Sequence, residues 1–165
     1  MIHAVVLAAG ASSRYGSAPP KQRVFLPRIL SALARSSALA GVVVVTGAHD
    51  VDADVRTVHC AEWERGPGAS LRCGLAALPP DADAAIVVLA DGPELDPRAV
   101  ARVAASWRDE GGDVVAATYD GVRLHPVLIA RGAWATVPDG GARSLPARLV
   151  DCSDLVAPGD VDEQP

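Results

Sequence analysis

Lysine is almost absent from this 165-residue chain. Fourteen of its fifteen basic positions are arginine, and the exception is Lys21. Aromatic residues are only 4% of the sequence, which disfavours a ring-stacked sandwich core. Positive charge is short as well: the net charge is −5 and no basic stripe appears, which argues against nucleic acid or an anionic membrane as a partner. No apolar run is long enough to span a bilayer, and Met1 enters its first apolar run without a basic flank or cleavage site. The expectation is a cytoplasmic protein. Cysteine is scarce, with Cys60, Cys73 and Cys152 odd in number and irregular in spacing. That pattern predicts neither a zinc site nor a disulfide framework, but reduced thiols in or near the core.

What the chain does have is small aliphatic side chains. Half of its residues are apolar, chiefly Ala, Val and Leu, which suits a buried parallel sheet covered by small-residue helices. The length fits one domain over residues 1–165. Ile2 to Ala8 reads as a buried strand stopped by Gly10, and Val24 to Leu33 as a helix with Pro27 in its first turn. Val42 to Thr46 is a second buried strand and Val55 to Cys60 a weaker third. Ser70 to Leu78 reads as a helix entered through Gly66-Pro67-Gly68. Ala85 to Ala90 is the central strand. A helix over Pro97 to Asp109 follows, with Asp96 as N-cap and Gly111-Gly112 as the stop. Val114 to Thr118, Pro126 to Ile129 and a short segment after Leu149 complete the strands. This alternation predicts a doubly wound α/β sheet, in which ligands sit beyond the carboxyl ends of the strands.

Three groups fall at that edge. Gly10-Ala11-Ser12-Ser13-Arg14-Tyr15-Gly16, followed by Pro20-Lys21, is neither a Walker loop nor a dinucleotide fingerprint. Its small residues, with Arg14 and Lys21, suit phosphate oxygens, because backbone N–H groups and a compact ammonium can both approach them. Asp91, at the tip of an apolar strand before Gly92-Pro93, either caps a turn or serves as a hard-cation ligand alongside substrate phosphates. Ser70 is either a helix N-cap or first-turn residue, or part of a helix start where small residues admit a planar base and free N–H groups read its edge. His125 is either the polar end of an edge strand or a substrate contact. No G-x-S-x-G elbow or Cys-His pairing offers covalent catalysis.

Leu7-Ala8-Ala9-Gly10-Ala11-Ser12-Ser13-Arg14-Tyr15-Gly16 with Pro20-Lys21 resembles the L-A-A-G-x-S-x-R-x-G…P-K signature of the MobA-like nucleotidyltransferases, and most of all their molybdenum cofactor cytidylyltransferase (MocA-like) branch. Gly68-Ala69-Ser70-Leu71-Arg72-Cys73-Gly74-Leu75, Leu89-Ala90-Asp91-Gly92-Pro93 and His125-Pro126-Val127 resemble further segments of that branch, in family order. The resemblance implies a Rossmann-like, three-layer α/β/α nucleotidyltransferase fold whose mostly parallel sheet has one antiparallel strand. It implies that Leu7, Ala8, Ala9, Gly10, Ser12, Arg14, Lys21 and Ser70 bind the nucleotide. Lys21, Arg14 and Asp91 would be catalytic, Asp91 and Asp162 (or Asp160) would hold Mg²⁺, and His125 is a candidate for the acceptor site. The partners implied are a nucleoside triphosphate, a small phosphorylated acceptor such as molybdopterin, and a molybdoenzyme. Gly92 stands where that branch commonly has glutamine, and the usual strand–glycine stretch after the lysine is missing.

Two functions of different kinds follow. One is Mg²⁺-dependent transfer of a nucleoside monophosphate, with CTP favoured by Leu-Ala-Ala-Gly. The other is a non-catalytic nucleotide-binding or cofactor-chaperone module of the same fold, for which the missing stretch speaks.

Overall fold

The computed structural model describes residues 1–10 and 21–159, leaving aside the side chains of residues 21–23. Its frame is one seven-stranded sheet: β1 (Ile2–Ala8), β2 (Gly41–Thr46), β3 (Arg56–His59), β4 (Ala84–Leu89), β5 (Val114–Tyr119), β6 (Val122–Ala130) and β7 (Arg148–Asp151), in spatial order β3-β2-β1-β4-β6-β5-β7. β1 pairs in parallel with β2 and β4, β2 with β3, and β5 with β7. β6 alone runs antiparallel, against both β4 and β5. The mostly parallel sheet with one reversed strand agrees with the expected fold. The reversal is made by Asp120-Gly121, whose φ values of 51° and 81° give the doubly left-handed turn that matches strand twist.

Successive residues of β1 and β4 serve opposite faces, which is why both strands are apolar throughout. Ala4, Val6, Ile86 and Val88 face one core with α1 (Lys21–Ala34) and α3 (Pro97–Glu110). Val5, Ala85 and Val87 face the other, with α2 (Pro67–Ala76). The buried residues of α3, Ala99, Val100, Val103 and Ala104, recur at the helical period. Asp96 caps α3 by accepting from the Arg98 N–H at 2.8 Å, and Gly111, with φ 70°, ends it by donating to Trp107 O at 2.7 Å. Gly74 lets α2 lie directly on the sheet, since a Cβ there would stand 2.5 Å from Val5 Cγ1 and 2.7 Å from Val45 Cγ2.

Three expectations need correction. Helix α1 begins at Lys21, so Pro27 lies in its interior and not its first turn. The buried stripe of Leu26, Ile29 and Leu33 continues on both sides of the proline, and tertiary packing offsets the lost backbone bond. Helix α2 begins three residues before Ser70, with Pro67 at its first position, where a missing N–H costs nothing. Finally, Cys60 and Cys73 are not separate thiols: they form a disulfide across 13 residues with a Cα–Cα distance of 5.8 Å. Sequence spacing could not pair them, because the β3–α2 connection sets their approach. Cys152 is free and buried. Among the described residues, no helix is long and apolar enough to cross a membrane.

Candidate active site

Parallel pairing of β1 with β4 sets Leu7 beside Leu89, so Ala9-Gly10 and Ala90-Asp91 leave the sheet side by side. Strand order turns back here: the chain departs from β1 towards β2 and from β4 towards the opposite edge. Such a divergence opens the crevice in which open α/β sheets bind ligands. The Ala90 N–H donates to Leu7 O at 3.0 Å, and the Ala48 N–H donates to Ala9 O at 3.1 Å, so the peptides leading into Gly10 are held from both sides. Gly47 allows the second contact, because a Cβ there would lie 2.7 Å from Ala9 O and 2.6 Å from Trp63 Cγ.

Asp91 stands at the tip of β4, and the Gly92 N–H closes the turn onto Leu89 O at 3.2 Å. β6 runs the other way, so its first half reaches this same edge and carries His125 to Gly92. A Cβ on Gly92 would be 2.5 Å from His125 Nε2 and 3.1 Å from Gly159 O. The glycine is therefore a matter of close approach. The tail is pinned there as well, because Pro158 O accepts the Glu94 N–H at 3.0 Å.

His125 is buried, its bond to Pro126 is cis, and its carbonyl accepts the Tyr119 hydroxyl at 3.3 Å. Burial pushes the imidazole pKa down to about 4, against the opposing pull of the Asp91 charge, so the ring is neutral near pH 7. Among the described residues neither ring nitrogen, both buried, has a hydrogen-bond partner.

Ser70 is buried as the fourth residue of α2, and its N–H donates to Gly66 O at 3.4 Å, so it is a first-turn residue and not the N-cap. The small residues before it meet protein. The Gly68 N–H donates to Asp139 O at 2.9 Å, and a Cβ on Gly68 would be 1.6 Å from Pro138 O. The Arg72 guanidinium clasps the Asp139 carboxylate and holds its pKa below the ordinary range, with Arg65 3.4 Å away. The idea that this helix start exposes free N–H groups to a base therefore does not extend to Gly68.

Leu7, Ala8, Ala9, Gly10, Asp91, Ser70 and His125 thus belong to elements ending or starting at one sheet edge. Lys21 heads α1, and its side chain lies outside the described residues, as do Ser12, Arg14, Asp160 and Asp162. The tail enters its last segment at Gly159, beside Gly92. Among the described residues no three His, Cys, Asp or Glu side chains gather into a metal-binding cluster. The donor chemistry at Asp91, a hard carboxylate at a strand tip, fits a divalent cation completed by substrate phosphates. Sequence reasoning missed the Gly92–His125–Gly159 contact and the Arg72–Asp139 clasp. Glycine in place of the common glutamine was the one available signal for the first.

A family model of the MobA-like NTP transferase domain matches residues 4–151. Bifunctional protein GlmU of Mycolicibacterium gilvum is 36% identical over 139 residues, covering 69% of this chain but only 26% of that protein. Rv0371c of Mycobacterium tuberculosis superposes with a TM-score of 0.74 at 26% identity, over 98% of this chain and 93% of that one. Its homologue from Mycobacterium sp. strain JC1 gives 0.80 at 23% identity, over 98% and 90%. Rv0371c has also been solved in complex with manganese. At 14% identity, CMP:2-keto-3-deoxy-manno-octonic acid synthetase complexed with CTP shares the fold, with a TM-score of 0.69 over 98% and 93% of the two chains.

Proposed function

This chain belongs to the MobA-like NTP transferase domain family, and from that premise we propose that it transfers a nucleoside monophosphate, CMP from CTP, to a small phosphorylated acceptor. An oxygen of the acceptor's phosphate attacks the α-phosphorus, the bond to the β-phosphate breaks, and pyrophosphate leaves. The observation that carries this reading is the emergence of Gly10 and Asp91 side by side from the parallel β1–β4 pair. In this reading the backbone of Leu7 to Gly10, with Ser12, Arg14 and Lys21, cradles the triphosphate, and Ser70 lies towards the base. Asp91, joined by Asp162 or Asp160, holds the divalent cation. When bound, the cation neutralises developing charge on the phosphates. Positioning and charge neutralisation meet the main demands of phosphoryl transfer, so no covalent nucleophile is required.

Mg²⁺ is the cation we favour, and the manganese complex of Rv0371c, a protein of similar fold, supports a divalent ion. The cytidine preference rests on Leu7-Ala8-Ala9-Gly10, and a CTP complex of the same fold supports it. Molybdopterin is the acceptor to test first, with a molybdoenzyme as recipient of the product and the cytoplasm as the setting. One observation favours the non-catalytic binding module: α1 starts at Lys21, so no strand–glycine stretch intervenes there.

Pyrophosphate release decides between them. With Mg²⁺, one of CTP, GTP, ATP and UTP should be preferred, and Asp91→Asn and Lys21→Ala should each lower turnover at least about 100-fold. Nucleotide-dependent thermal stabilisation without turnover across a broad acceptor panel would favour the binding module. No stabilisation by any nucleotide would defeat both readings.

A further inference from the structure

The Cys60–Cys73 bond closes off a segment that borders the candidate site. Cys60 directly follows β3, at the carboxyl edge of the sheet, and Cys73 lies in α2 three residues after Ser70, on the same side of the helix. The enclosed residues, 61–72, include Ser70 itself and Trp63, whose Cγ meets Gly47. Next to Gly47, the Ala48 N–H holds Ala9 O at 3.1 Å. Cys60 Sγ lies 3.6 Å from the carbonyl oxygen of Ala69, the residue before Ser70. The bond therefore touches both the segment leading to Gly10 and the first turn of α2.

The two sulfurs are unequally accessible. Cys60 is fully buried, whereas Cys73 is partly exposed and open to an external thiol. Non-covalent ties would outlast the bond: the Cys60 N–H donates to Thr46 O at 2.8 Å, and the Gly68 N–H to Asp139 O at 2.9 Å. Breaking the bond thus loosens the segment while the sheet keeps its order. We infer that Cys60–Cys73 is a redox switch of the nucleotide site, holding residues 61–72 in the nucleotide-binding arrangement when oxidised and lowering affinity when reduced. This rests on the nucleotidyltransferase reading above. A dithiol reductant supplies the two electrons. One of its thiolates attacks Cys73 Sγ, and Cys60 leaves as a thiolate and takes up a proton. Its second thiolate then breaks the mixed disulfide, Cys73 leaves and is protonated, and the reductant ends as a disulfide. A disulfide oxidant reverses both steps.

The test measures CTP binding to the full chain with Mg²⁺, by calorimetry, in oxidised and dithiol-reduced protein. The oxidised form should bind at least about 5-fold more tightly. By linkage, saturating CTP should raise by the same factor the ratio of dithiol to disulfide that reduces half of the protein. Cys73→Ser should match the reduced wild type and ignore the dithiol, with Cys60→Ala/Cys73→Ala as the second variant should the serine chain not fold. Equal CTP affinity in both redox forms, each folded by circular dichroism, overturns the inference and leaves the bond a staple. Unfolding of the reduced wild type at room temperature overturns it too. Failure of the oxidised chain to bind any nucleotide instead defeats the nucleotidyltransferase reading, and this inference with it.

Discussion

Individual residues here derive their chemistry from burial. His125 shows the effect most plainly, because its pKa falls to about 4 while an unfolded chain would take up the proton near 6.5. As pH drops through that interval the unfolded state binds protons that the native state refuses. Native stability is therefore fully present above about 6.5 and declines towards pH 4, by up to about 3 kcal/mol. Urea unfolding between pH 7 and 4 should show this slope, and His125→Phe should abolish most of it. Lys21 stands at the other extreme. Its singularity was visible in composition, and its position at the head of α1 adds a helix N-terminus to the features around it.

Among the elements, α2 makes the most demanding contacts. Gly74 is pressed against two valines of the sheet, and Gly68 against the Pro138 carbonyl. A backbone oxygen cannot swing away as a rotamer can. Gly68→Ala should therefore cost at least about 2 kcal/mol, read by chemical denaturation, and should loosen the 138–139 segment in hydrogen exchange. The sequence made this helix legible through Gly66-Pro67-Gly68, but the natural reading of those small residues was room for a ligand. The Pro138-Asp139 segment, some 70 residues away, takes that room. Helix α1 shows a related effect: Pro27 marks a helix start by local rules, and only the continuous stripe against the sheet shows the helix passing through it.

For the whole molecule, the disulfide is the largest revision. Cys60–Cys73 closes a loop of 13 residues, and such a link is worth about 3 kcal/mol. Reduction with a dithiol, or Cys73→Ser, should lower stability by about that amount in urea titrations. A bond of this kind is uncommon in a reducing cytoplasm, so it stands against the cytoplasmic setting proposed above. Assembly at the sheet edge is the other property of the whole. Strand order and direction bring β1, β4, the start of α2 and the first half of β6 together. No single element contains the site.

The sequence by itself determined the layered α/β plan, the order of the elements and the family signature. Those depend on hydrophobic period, on small residues at turns and on short motifs, all of which are local. Tertiary structure alone decided that Gly92 makes way for His125 and Gly159, that Gly68 receives Pro138, and that two of three cysteines are joined. Each of these is a meeting of segments at least 13 residues apart in the chain. Their approach is set by strand order and helix packing, and residue spacing carries no record of it.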